Sequence, residues 1–246
     1  MSKTKTNTTT STTSNATPSM VRKSPYAAIA FDLDGTLVDT VPDLLVCANL
    51  TMQALNRPQV SIDEVRLWIG NGIETIVQRT LSGDYVVDST LDPALVADAV
   101  ALFKGFYLEH IYDRSVLYPN VRETLEKLHQ LGLPLAVVTN KARQFTVLLL
   151  KALAIDHTFD IIICGDDLEE KKPHPMPMLS ALEQLSLAPH QLLLVGDSKN
   201  DLLSAQRADV DRAFVTYGYH QGINADDYSP QYRFDDFGQL QTLFGL

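Results

Sequence analysis

The stretch AAIAFDLDGTLVDT, residues 27–40, is where the reading of this chain turns. Its apolar start and Phe31 read as a buried strand, which gives out into two carboxylates, Asp32 and Asp34, one residue apart. Like charges that close repel and resist leaving water, so this strand end costs stability unless a cation sits between them. An acidic turn is the plainer alternative, because Asp-Gly is a common turn pair.

Beyond residue 40 the pattern becomes helical. Residues 41–112 carry helical apolar spacing, as in Leu44-Leu45-Ala48-Met52-Leu55 and Val96-Val100-Phe103-Phe106, with no strand pattern of comparable strength. Apolar strands then alternate with amphipathic helices: strands over 133–138, 160–164, 191–195 and 212–216, helices over 121–131, 142–153, 175–187 and 201–208. Short strands buried on both faces and separated by helices imply an α/β fold, a doubly wound parallel sheet. The expected organisation is a catalytic core from residues 25–40 and 113–246, with a helical module, residues 41–112, inserted after the first strand. No internal repeat is present.

In such sheets ligands bind at the carboxyl ends of the strands. The first strand delivers Asp32, Asp34 and Thr36 there, and Gly35 suits a tight turn that lets backbone approach a ligand. The second ends in Thr139-Asn140, the third is followed by Lys172, and the fourth presents Asp197 and Asp201 in LLLVGDSKND. Each group alone has a plain structural reading: a polar turn, a solvated lysine, a helix N-cap with a first-turn acid. Together they are what phosphoryl transfer without a phosphate-binding glycine loop requires. A carboxylate can be the nucleophile, a second the general acid and base, and hydroxyl, amide and ammonium groups can hold the transferring charge. Further carboxylates can hold Mg²⁺, which favours oxygen ligands, and a cation between Asp32 and Asp197 would relieve the repulsion at the strand end.

Bulk properties fit this. The 246 residues carry a net charge of -10 with 45% hydrophobic content, which disfavours nucleic acid or an anionic membrane surface as partner. A phosphate substrate is compatible, since a bound metal reverses the local sign. No run approaches the length of a membrane span. Cys47 and Cys164 lie far apart without metal spacing and read as reduced thiols in a cytoplasmic protein. The first 20 residues, MSKTKTNTTTSTTSNATPSM, lack an apolar segment, so residues 1–24 are expected to be a disordered Ser/Thr-rich tail with no signal peptide. The expected partner is a small-molecule phosphate ester, and the chain is a monomer or homodimer.

DLDGT, VVTN, KKPHP and VGDSKND, in this order and spacing, resemble the four motifs of the haloacid-dehalogenase-like hydrolases across nearly all of residues 26–246. The resemblance implies Asp32 as nucleophile and Mg²⁺ ligand, and Asp34 as general acid and base with its backbone carbonyl on the metal. It implies Thr139 and Lys172 on the phosphoryl oxygens, Asp197 on Mg²⁺, and Asp201 supporting the site through water or Lys172. Residues 41–112 would be the small helical cap of one subfamily. Segments LVDTVPDL, VRLWIGNGIE, YPNVRETLEKL and VTYGYHQG are similar to the bacterial phosphoglycolate phosphatase branch, implying 2-phosphoglycolate as substrate. By the same likeness Gly70, Asn71 and Gly72 would close over the substrate and Arg66 could reach an anionic group on it. The chain departs from the family at Ala208-Asp209, where a glycine often ends the helix. Asp34 disfavours a dehalogenase. The lack of lysine between residues 41 and 103 disfavours a phosphonate hydrolase, which needs a cap lysine. A response-receiver domain would be half as long and would carry its acceptor aspartate on a later strand.

Overall fold

Strand β1, Ala28–Phe31, is buried along its whole length and lies in the middle of a six-stranded parallel sheet. Its neighbours are β4 (Leu135–Val138) and β6 (Leu192–Gly196), with Phe31 opposite Val137 on one side and Val195 on the other. Outside β4 lies β5 (Ile161–Ile163), and outside β6 follow β7 (Asp211–Val215) and β8 (Tyr232–Phe234). These statements come from a computed structural model, which describes residues 24–220 and 222–246. Apart from Ser24, the expectation of a disordered tail at residues 1–24 therefore lies outside the described residues.

From β1 the chain winds outward through β4 to β5, then returns to the centre at β6 and proceeds the other way. The sheet direction thus switches between β1 and β6, and a crevice opens at their carboxyl ends. One face packs Ile29, Phe31, Leu135, Val137, Leu193 and Val195 against α5 (Val121–Gln130) and α6 (Arg143–Ala152). The other packs Ala28, Ala30, Ala136, Val138, Leu192 and Leu194 against α7 (Met176–Leu185) and α8 (Lys199–Arg207). Alanines opposite the bulkier face let the second helix layer approach closely, and burial on both faces gives the near-continuous apolar strands.

Two short antiparallel strands, β2 (Val38–Asp39) and β3 (Val116–Leu117), carry the chain out of the sheet and back. Between them lie α1 (Val41–Ala54), α2 (Ile62–Trp68), α3 (Ile73–Ser82) and α4 (Pro93–His110). These helices bury their own cluster around Cys47, Trp68, Ile76, Phe103 and Tyr107, which Phe145 of α6 and Tyr219 join from the sheet side. Asp43 of α1, fully buried, accepts bonds from Arg114 N (2.9 Å), Ser115 N (2.8 Å) and Ser115 Oγ (2.6 Å). One carboxylate thereby fixes the returning chain to the outgoing helix.

The α8 N-cap is Ser198, whose hydroxyl accepts from Asp201 N while Asp201 reaches back to Ser198 N, a reciprocal capping box. The cap is thus Ser198 and not Asp197, the plain structural alternative for that residue, and the Asp197 side chain stays in the crevice. Asp209, φ +55°, takes the left-handed turn after α8 where a glycine would be easiest, which its short polar side chain tolerates.

Candidate active site

Asp32 leaves β1 with its backbone N–H still bonded to Val195 O at 3.0 Å, so its side chain emerges at the switch between β1 and β6. Asp197 follows β6 directly, and Asp201 sits in the first turn of α8. One oxygen from each of the three carboxylates falls within 4.8 Å of the others, and all three residues are buried. Lys172, 2% exposed, reaches into this group from the loop after β5. Its Nζ lies 2.9 Å from Asp32 Oδ1 and donates to Asp201 Oδ1 at 2.6 Å and to Val138 O.

Three buried carboxylates against one ammonium leave two negative charges uncompensated. Burial, and next the Asp201 charge, push Asp32 up to about 7 against the pull of Lys172. Asp197 is pushed up in the same way, by burial and then by Asp201 and Asp32. Asp32 Oδ1 is buried and faces Lys172 Nζ at 2.9 Å. An all-oxygen donor set with a doubly negative deficit fits a hard divalent cation. Asp197 is held in place, since Thr36 Oγ1 donates to its Oδ1 at 2.8 Å and Tyr219 N to its Oδ2 at 2.7 Å. Gly35, φ +91°, lets this shell close: a Cβ there would lie 2.3 Å from Asp197 Oδ2.

A cavity of ≈ 40 Å³ opens beside Asp32, between the strand ends and the inserted helices. Asp34, Thr139, Asn140 and Lys141 line it below, and Leu44, Ile69, Gly70, Gly72, Ile73 and Ile76 line it above. Asn140 ties the two sides, donating to Gly70 O and to Lys172 O, both at 2.8 Å. Its Oδ1 has no hydrogen-bond partner among the described residues, although the residue is buried. The family model of the haloacid dehalogenase-like hydrolases matches residues 29–215, which contain every one of these groups. The chain is a haloacid dehalogenase-like hydrolase. It is 42% identical to phosphoglycolate phosphatase of Colwellia psychrerythraea over 212 residues, 86% of this chain and 94% of that one. With phosphoglycolate phosphatase of Vibrio cholerae the identity is 44% over 212 residues, at the same two coverages of 86% and 94%. The crystal structure of a predicted phosphoglycolate phosphatase from Haemophilus somnus superposes with a TM-score of 0.83 at 37% identity, covering 89% of this chain and 98% of that one.

The hydrolase thus gathers Asp32, Asp34, Gly35, Thr36, Thr139, Asn140, Lys172, Asp197 and Asp201 at one sheet edge, with Gly70 and Gly72 facing them. Two sequence-chosen residues are elsewhere. Arg66 is exposed on α2 and pairs with Asp63 at 3.4 Å, because the buried face of that helix is set by Val65 and Trp68. The Asn71 side chain turns away to accept from Arg79 Nη1, and its carbonyl accepts from Lys171 Nζ. Three groups escaped the sequence reading. Lys141, one residue beyond the polar pair at the end of β4, donates to Asp34 Oδ1 at 2.9 Å and Oδ2 at 3.1 Å. Tyr219 holds Asp197 through its N–H, while its hydroxyl donates to Asp39 and accepts from Thr40 N. Asp43 is the third. Only Lys141 carried a signal, its place directly after Thr139-Asn140.

Proposed function

We propose that this hydrolase is a Mg²⁺-dependent phosphatase that converts 2-phosphoglycolate to glycolate and phosphate through an aspartyl-phosphate on Asp32. The observation that carries the reading is the pairing of the two carboxylates of the DLDGT turn with different lysines. Asp32 lies against Lys172, its Oδ1 2.9 Å from Nζ. Asp34 lies across the cavity on Lys141. This division supports Asp32 as the nucleophile and Asp34 as the proton carrier. The substrate itself is suggested by the relatives, which are phosphoglycolate phosphatases by name.

In the first step Asp32 attacks phosphorus, the bond from phosphorus to the leaving oxygen breaks, and Asp34 gives that oxygen its proton. In the second, Asp34 takes a proton from water, which attacks the phosphorus on Asp32, releases phosphate and restores the carboxylate. Thr139 and Lys172 hold the phosphoryl oxygens, and Asn140 fixes the covering loop through Gly70. Mg²⁺, held by Asp32 and Asp197 with Asp201 anchoring Lys172 behind them, would offset the charge of the transferring group. The helices between Val41 and His110 act as a cap that keeps bulk water from the acyl phosphate. A cavity with room for about three waters favours a small ester. Free, buried Cys47 and Cys164 support work in the reducing cytoplasm.

The test is a panel of phosphate esters with Mg²⁺, including hexose phosphates and pyrophosphate, ranked by kcat/KM, because that ratio reports transition-state discrimination. 2-Phosphoglycolate should lead by about tenfold or more, a gap of ~1.4 kcal/mol. Another ester at the top, or isomerisation of a sugar phosphate, would overturn the assignment.

A further inference from the structure

Among the residues that line the cavity, Lys141 alone is positively charged. It comes from the end of β4, with only 4% of its side chain exposed, and its ammonium lies 4.8 Å from the ring centroid of Tyr107 in α4. Its side-chain hydrogen bonds go to the two oxygens of the Asp34 carboxylate. An ammonium has three donors, so one remains beyond the two bonds to Asp34 in a residue that lines the cavity. Burial alone would lower its pKa, but Asp34 raises it above the ordinary lysine value, and the group stays charged.

The wall opposite is apolar: Leu44, Ile69, Ile73 and Ile76. A neutral alcohol leaving from Asp32 meets hydrocarbon there. A leaving group carrying a carboxylate sets a charge against the same hydrocarbon. In a cavity of low dielectric that placement is strongly disfavoured unless a cation lies beside it. Lys141 is positioned to be that cation. Arg66, exposed and paired with Asp63, does not line the cavity.

We propose that Lys141 is the specificity-determining residue of this site: its ammonium bridges Asp34 and a carboxylate on the leaving group, so that carboxylated esters are selected over neutral ones. The inference rests on the phosphatase reading above and names the residue behind its substrate preference. It differs from a role in which Lys141 merely orients Asp34, because orientation serves every ester alike, whereas a bridge serves only those with a carboxylate.

The experiment compares kcat/KM for 2-phosphoglycolate and for ethyl phosphate, which has the same carbon count and no carboxylate, in wild type, Lys141→Gln, Lys141→Arg and Arg66→Ala. Both esters share any loss that reaches Asp34, so the quantity read is the ratio between them. Wild type should favour 2-phosphoglycolate, and Lys141→Gln should cut that preference by about 30- to 100-fold, the range of a charge-assisted hydrogen bond. Lys141→Arg keeps a cation and should hold the preference within about tenfold of wild type. The exposed Arg66→Ala should leave it where wild type has it. An equal fall for both esters in Lys141→Gln overturns the bridge and leaves an orienting role. If Lys141→Gln does not fold, Lys141→Arg decides: ethyl phosphate turnover without carboxylate preference overturns the bridge. A wild type that treats the two esters alike overturns both this inference and the substrate reading. One that favours 2-phosphoglycolate while Lys141→Gln does so equally overturns this inference alone.

Discussion

Replacing Asp34 by asparagine separates the two chemical steps of the proposed reaction. The structural cost is bounded by what Asp34 touches. Its carboxylate, 14% exposed, is bonded to Lys141 at 2.9 and 3.1 Å, and an amide retains one oxygen to accept from that ammonium. Losing the charge but not the acceptor costs about 2 kcal/mol, a drop of roughly 4–8 °C in Tm for a chain of this size, so the variant folds. The chemical cost depends on the leaving group. Glycolate departs as an alkoxide and needs the proton, so turnover of 2-phosphoglycolate should fall about 10³-fold or more. Acetyl phosphate is small enough for the cavity, and its leaving acetate needs no proton. Asp34→Asn should therefore release close to one acetate per site in a rapid burst and then stall, because the water that clears Asp32 has lost its base. Quenched-flow sampling would give the burst. Intact-protein mass spectrometry would show the added phosphoryl group, which Asp32→Asn should never acquire. Equal slowing of both substrates, with no burst and no adduct, refutes the assignment of Asp34 as proton carrier and leaves it a structural partner of Lys141.

Two further outcomes follow from the same geometry. Chelation with EDTA should abolish turnover and Mg²⁺ restore it, while Ca²⁺ fails because its larger, looser coordination shifts Asp32; full activity in EDTA would refute the metal reading of Asp32, Asp197 and Asp201. Asp43→Ala strips acceptors from Arg114 N and from both Ser115 donors, which costs about 3 kcal/mol and lowers Tm by roughly 6–12 °C; a change below about 2 °C in calorimetry would show that the return of the chain from the helices is held by other contacts.

How much of this was legible in the sequence depends on how local each feature is. The five expected strands formed with ends shifted by two residues at most, because burial on both faces writes a continuous signal. The pair β2 and β3 has two residues in each strand and β8 three, too short to show any period. The carboxylates and Lys172 were legible because a parallel sheet sends every strand end to one side, which turns a linear order of motifs into a site. Tyr219 and Asp43 were not, since each acts on residues more than seventy positions away through contacts that only packing defines. Arg66, a candidate by likeness to the family, is exposed because Val65 and Trp68 set the buried face of α2.

The DLDGT turn raised the question of what cation makes two adjacent carboxylates tolerable, and a single metal between Asp32 and Asp197 was the expected reply. The structure divides the problem. Asp32 has Lys172, which it shares with Asp201, and Asp34 has Lys141, so each acid meets a different ammonium on opposite sides of the turn. The division has a chemical consequence. The Asp32 side retains two uncompensated negative charges, a deficit that suits a divalent ion beside a nucleophile. On the Asp34 side one carboxylate faces one ammonium with no comparable charge deficit, so nothing there calls for a metal on its oxygens. A single shared cation would have made the two carboxylates equivalent. Separate lysines, supplied by the end of β4 and the loop after β5, make them different, as the proposed acid–base and nucleophilic roles on residues two positions apart require.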